Sequence, residues 1–218
     1  MKNIVCLISG RGSNLRALLE AQQARRWDAA PPAAAAQVRA VISNRPGAGG
    51  LQIARAAGVA TEVIEHGGFP TRAAFDAALA ALIDRFDPAL VLLAGFLRVL
   101  TPEFVARYEG RLINVHPSLL PAFTGLDTHA RALAAGVRVH GATVHFVSRD
   151  LDAGPIIAQA ALGVEPDETA EALAARVLAL EHVLLPRCVE WIIQGRVRLA
   201  AGRVVAEGLH AADLLVTP

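Results

Sequence analysis

The chain has 218 residues, 54% of them apolar and 5% aromatic, and its net charge is +1. That length fits one domain, with apolar residues enough for a core built mainly from Ala, Leu, Val and Ile. With no basic run longer than Arg25-Arg26, nucleic acid is not expected as a partner, because phosphate backbones demand concentrated positive charge.

Other classes fall away on single residues. The only lysine is Lys2, so there is no P-loop Gly-Lys-Ser/Thr and no interior lysine for a Schiff base. Cys6 and Cys188 lie far apart in apolar surroundings and read as buried free thiols. No Cys-x-x-Cys or His-Glu-x-x-His occurs, so no metal is expected. The apolar segment 3–8 is too short for a signal peptide, and no stretch is long enough to span a membrane. These points predict a cytoplasmic protein acting on small molecules.

In chain order, residues 3–8 read as a buried strand ended by Ser9-Gly10, and Ser13 or Asn14 as the cap of a helix. Residues 29–36 read as a Pro/Ala loop, 38–42 as a second strand and 49–57 as a helix closed by Gly58. A third strand at 59–64, a mobile loop at His66-Gly67-Gly68, a helix at 71–85 and a continuous apolar strand at 89–94 follow. This alternation predicts an α/β fold, a doubly wound and mainly parallel sheet with helices on both faces. The second half predicts a strand at 111–115, a helix at 128–135 and an antiparallel pair at 139–147 and 155–164. A long helix at 168–193 and a hairpin at 196–206 complete it. The expected organisation is one domain over 1–218, with an α/β half at 1–100 and an antiparallel extension in the remainder, 101–218.

Ligands bind such sheets at the carboxyl ends of the strands, which directs attention to three segments. Ser9-Gly10-Arg11-Gly12-Ser13-Asn14 joins a strand to a helix start, where free N–H groups and the helix dipole suit one phosphate. Leu15 stands where a dinucleotide fingerprint has its third glycine, and an ordinary capped turn would look the same. Asn114 and His116 are two apart on a strand and share a face. An amide beside an imidazole could bind a developing oxyanion and move protons, although a histidine tied to a backbone carbonyl fits too. Asp150 and Asp152 lie in a turn, where aspartates are ordinarily turn formers, but a carboxylate near His116 would orient its ring. His140 and His145 sit at odd spacing on one strand, so they are expected on opposite faces. His129 and Arg131 are expected in solvent, and Glu181 interrupts an apolar helix face, where a buried carboxylate needs a partner.

Taken together, these segments resemble the glycinamide ribonucleotide formyltransferase family, from Ile4 to about Arg196. The stretches that carry the resemblance are Leu7–Leu15, Val41-Ile42-Ser43-Asn44, Leu93–Leu100 and Asn114-Val115-His116-Pro117-Ser118-Leu119-Leu120-Pro121. His140–His145 and Asp152-Ala153-Gly154-Pro155-Ile156-Ile157 follow at the family's spacing. The resemblance implies a formyl transfer from 10-formyltetrahydrofolate to the amine of glycinamide ribonucleotide, in purine synthesis. It implies Asn114, His116 and Asp152 as the catalytic trio, and Gly12, Ser13, Asn14 and Glu181 as contacts to the ribonucleotide. It implies Arg72, Leu97, Arg98, Val99, Leu100 and Asn114 as folate-binding positions. It thus makes 1–100 the phosphate-binding half and 101–218 the folate and catalytic half, in a monomer or weak homodimer without a metal. Ala122 and Thr124 depart from the Lys and Pro that many relatives carry.

Rival readings within the superfamily are less well matched. A methionyl-tRNA formyltransferase normally adds a basic C-terminal domain, and residues 194–218 are few and not notably basic. A formyltetrahydrofolate hydrolase usually carries a regulatory domain before the first strand, and sugar-nucleotide formyltransferases are commonly longer. A catalytically silent nucleotide-binding module would need the phosphate loop alone.

Overall fold

The computed structural model describes residues 1–217. The chain forms two compact units, Met1–Ile113 and the residues from Asn114 onward.

The first unit is the alternating half. Its elements are β1 (Lys2–Ile8), α1 (Ser13–Ala24), β2 (Ala36–Ser43), α2 (Gly49–Ala56) and β3 (Ala60–Val63). They continue with α3 (Arg72–Asp84), β4 (Pro88–Leu93) and α4 (Pro102–Arg107). The strands are parallel in the order β4-β1-β2-β3. β1 has a neighbour on each edge, and Ile4 through Ile8 are wholly buried. A strand so placed must be apolar throughout, which is why its sequence is a continuous run rather than an alternation. The order also reverses at β1: β2 and β3 lie to one side of it and β4 to the other. The carboxyl ends of β1 and β4 therefore flank a topological switch point.

Loop glycines set how closely the pieces approach. Gly12 takes φ +79°, and a Cβ there would lie 2.5 Å from the Gly50 Cα. Gly50 in turn donates its N–H to the Gly10 carbonyl at 3.1 Å. The starts of α1 and α2 thus meet backbone to backbone. Gly12 is also the N-cap of α1, whose end carries no side-chain cap, so neither Ser13 nor Asn14 caps the helix as the sequence suggests. The His66-Gly67-Gly68 segment forms a single 3-10 turn.

The second unit follows the division inside β5 (Leu112–His116). It contains α5 (Thr128–Ala134), β6 (Val139–Phe146), β7 (Ile156–Gly163) and α6 (Ala170–Ile193), then β8 (Val197–Ala200), β9 (Arg203–Ala206), α7 (Ala211–Leu214) and β10 (Leu215–Val216). β6 and β7 pair antiparallel, as do β8 and β9, while β10 adds parallel to β7. α6 packs on β6 and β7 through a buried stripe that includes Leu173, Val177, Leu180, Leu184 and Cys188. Its first turn is capped by Thr169, which accepts from the Ala172 N–H. The parallel α/β unit and the antiparallel addition are the fold class expected from the sequence. α4, α7 and β10 are additions to it.

Gly12→Ala is expected to cost about 3 kcal/mol, from left-handed backbone on a residue with a Cβ plus overpacking against Gly50. Urea unfolding measures it, and an unchanged midpoint would mean that the α1 and α2 starts separate freely.

Candidate active site

In the first unit the switch point gathers two of the expected segments. Ser9, at the end of β1, is 2% exposed and works in both directions. Its hydroxyl donates to the Asn44 Oδ1 at 2.7 Å and accepts from the Leu97 N–H at 2.9 Å. Its own N–H donates to the Gly95 carbonyl. The Gly10–Asn14 turn and the segment after β4 are thereby tied together. The N-terminus of α1 carries first-turn N–H groups that no side chain caps, on a helix three turns long, which suits an anion.

The 97–101 segment is held from α3. The Arg98 guanidinium lies over the Phe75 ring at 4.5 Å, and Asp76 accepts from the Thr101 N–H at 2.6 Å. Arg72 precedes Phe75 and Asp76 by three and four residues, so it shares their side of the helix. Leu97 and Val99 stand 62% and 51% exposed, an uncovered apolar pair that could wall a flat ring. The Arg98 Nε and the Asp76 Oδ1 are buried without a partner, leaving one donor and one acceptor beside that wall. This chemistry suits a flat ring with apolar faces and a hydrogen-bonding edge.

The second unit brings Asn114, His116 and Asp152 together. The His116 Nδ1 lies 3.4 Å from an Asp152 carboxylate oxygen, and its Nε2 lies 2.9 Å from the Phe123 carbonyl. Both ring nitrogens face oxygen acceptors, and only the imidazolium can donate at both. The same Asp152 oxygen accepts from the Gly125 N–H at 2.8 Å. Asp152 takes φ +51°, an uncommon backbone for a residue with a Cβ, and its side chain is 8% exposed. Asp150 is exposed and stays outside the cluster, so only one of the two turn carboxylates takes part.

Asn114 reaches a partner that sequence reasoning passed over. Its Nδ2 lies 3.3 Å from the His145 Nε2, and the His145 Nδ1 lies 3.0 Å from the Phe146 carbonyl. The carbonyl takes the Nδ1 proton, so the Nε2 accepts from Asn114. Burial holds His145 below its usual pKa, which keeps it the neutral acceptor this bond needs. His145 therefore fixes which way the Asn114 amide points and leaves its second N–H free to donate. Opposite His145 the register shifts, with two residues of β7 set against one of β6. The odd spacing of His140 and His145 does not separate both from the chemistry: each meets a different partner.

His140 is buried against the edge of the Phe123 ring, with its Nε2 3.3 Å from the His129 Nδ1. Burial, reinforced by the neighbouring His129, pushes its pKa down to about 4. Arg131 is exposed as expected, yet it is not idle: it donates to the Thr124 and Leu126 carbonyls. Glu181 is buried midway along α6. Among the described residues no group of His, Cys, Asp and Glu could hold a metal ion, and no helix is long and apolar enough to cross a membrane.

The parallel sheet with a loop at its switch point, together with an Asn-His-Asp cluster, is the frame of a formyl transferase. The chain matches the formyl transferase family model over residues 2–189. It is 44% identical over 197 residues to the phosphoribosylglycinamide formyltransferase of Escherichia coli K12, covering 90% of each chain. It matches the crystal structure of glycinamide ribonucleotide transformylase 1 from Symbiobacterium toebii with a TM-score of 0.88 and 41% identity, over 95% of this chain and 94% of that one. The phosphoribosylglycinamide formyltransferase structure from Coxiella burnetii gives a TM-score of 0.89 and 46% identity, over 99% and 98%. The chain belongs to the phosphoribosylglycinamide formyltransferase family.

The depressed histidines give a stability prediction. Above about pH 6.5, the ordinary value for His140, it is neutral folded or unfolded and costs nothing. Below it the unfolded chain takes up a proton that the folded chain refuses until about pH 4. Stability is expected to fall across that window as pH drops, and His140→Gln to flatten the fall. Thermal melts at pH 7, 6 and 5 test this; an identical pH slope in the variant would show that His140 already titrates freely in the fold.

Proposed function

We infer that this chain transfers a formyl group from 10-formyltetrahydrofolate to the amine of glycinamide ribonucleotide, a step of purine biosynthesis. The observation that carries the reading is the Asn114–His116–Asp152 cluster, in which one amide N–H and one imidazole stand ready beside a buried carboxylate. Its family relatives act in the same reaction class by name.

In this reading Gly12, Ser13 and Asn14 offer backbone N–H groups to the ribonucleotide phosphate, and Glu181 contacts the same substrate. Arg72 and residues 97–100, with Asn114, receive the folate: the backbone meets the pterin edge and Leu97, Val99 and Leu100 its face. The substrate amine attacks the formyl carbon, forming a C–N bond as negative charge develops on the formyl oxygen. The free N–H of Asn114 donates to that oxygen in the transition state, and the His116 ring does so where the oxygen takes the place of the Phe123 carbonyl at its Nε2. As the bond to the folate nitrogen breaks, that nitrogen takes up a proton and the attacking amine gives one up. His116, oriented by Asp152, is placed to relay it. The balance needs no metal and no redox partner.

His116→Ala is expected to lower kcat by about 10²- to 10³-fold while ribonucleotide binding changes little. Purified protein with 10-formyl folate, with and without glycinamide ribonucleotide, is followed spectroscopically, and calorimetry reports binding. Ribonucleotide-dependent deformylation supports the transferase. Deformylation without any acceptor would assign a hydrolase instead, and wild-type turnover in the variant would remove His116 from the mechanism.

A further inference from the structure

The loop between β5 and α5 supplies both contacts that fix the catalytic pair. Through its Phe123 carbonyl it meets the His116 Nε2, and through its Gly125 N–H it meets the Asp152 carboxylate. Its backbone is not at rest by itself. Phe123, Gly125 and Asp127 have φ of +54°, +78° and +55°, and two of the three carry a Cβ that disfavours this region. Such a path persists only where its surroundings over-determine it.

Beside the Ser118 hydroxyl on the Ala122 carbonyl and the bonds to His116 and Asp152, one further side chain supplies that constraint. Arg131, one turn into α5, sends a single guanidinium nitrogen to the carbonyls of Thr124 and Leu126, the latter at 3.2 Å. Its guanidinium also sits 5.8 Å from the centre of the Phe123 ring. The two carbonyls it holds alternate along the chain with the two groups that hold His116 and Asp152. Arg131 therefore grips the opposite edge of the strip that the catalytic pair grips. The charge-assisted bonds are stronger than neutral ones and directional, and a lysine ammonium could reproduce the charge but not the planar guanidinium set over the Phe123 ring.

We propose that Arg131 is a positioning residue for formyl transfer, holding the 123–126 loop so that the Phe123 carbonyl and Gly125 N–H set the geometry of His116 and Asp152. The proposal rests on the formyl-transfer reading above. Because Arg131 is exposed and lies outside the packed core, its removal is expected to leave the fold intact.

The test compares full-length wild type, Arg131→Ala and Arg131→Lys in the ribonucleotide-dependent deformylation assay. Arg131→Ala is expected to lower kcat about tenfold with both KM values within about twofold, because a small misplacement of catalytic groups is felt mainly in the transition state. Arg131→Lys is expected to recover part of the loss. Independently of turnover, the nitrogen chemical shifts of the His116 ring, assigned with His116→Gln, are expected to move in Arg131→Ala as the Phe123 carbonyl bond lengthens. Thermal melts of both variants stay near wild type. Wild-type kcat in Arg131→Ala overturns the proposal, as do unmoved His116 ring shifts or a loss of kcat matched by a lowered melting temperature. If wild type itself transfers no formyl group, the functional reading fails, and the ring shifts alone then decide the role of Arg131.

Discussion

A carboxylate removed from water must be met by donors, and the second unit is arranged around that requirement at Asp152. Its side chain is 8% exposed, and its donors come from two other segments: His116 from β5 and the Gly125 N–H from the following loop. The turn that delivers it is tight. A Cβ on Gly154 would fall 1.8 Å from the Phe146 carbonyl, so only glycine lets the chain turn from β6 into β7 this closely. The left-handed backbone of Asp152 is a cost borne at the same point, and such strain collects where function fixes a side chain against its preference. Satisfying this one anion therefore orders the β6–β7 turn and the 122–127 loop, and it orients the imidazole between them.

The fold was largely legible because its strongest signals are strong for physical reasons. β1 and β4 are buried strands with neighbours on both edges, and continuous apolar runs are what such strands require. α6 could be read through Pro186 because its apolar period extends over 24 residues, long enough to outweigh one proline. α4 escaped notice because six residues hold too little period to detect, although Thr101-Pro102 is a cap followed by a first-turn proline. β10 is two residues long and has no pattern of its own; its pairing to β7 comes from tertiary structure.

The site was legible only where its residues are close in sequence. Asn114 and His116 obey the period of a strand, so their shared face follows from spacing alone. Asp152 looks like any turn aspartate, and nothing local separates it from Asp150; the resemblance did that, and the structure explains it by burial. Ser9 reads as the end of a strand, and its bonds to Asn44 and to the Leu97 N–H span 35 and 88 residues. His145 was hidden because its partner Asn114 lies 31 residues away, so nothing local pairs them. Arg131 was hidden differently. Exposure was rightly expected, but exposure does not say whether a long side chain lies free or folds back onto backbone carbonyls.

Four histidines lie in this unit close enough to sense one another, and their differences explain how the cluster can work. Two positive imidazoles side by side repel, so a charge on one disfavours protonation of the others. Burial lowers His145, His140 and His129 alike, and the charge of His116 adds to that lowering in each. Each neutral ring then has a task that charge would spoil. His145 accepts from Asn114, and as a cation it could only donate, turning the amide away. The pair formed by His140 and His129 fills space against Phe123, whose carbonyl is the acceptor for His116. His116 has the Asp152 carboxylate 3.4 Å from its Nδ1 and the Phe123 carbonyl 2.9 Å from its Nε2. His116 itself stands on the same strand face as the Asn114 amide, whose remaining N–H can donate to a developing oxyanion.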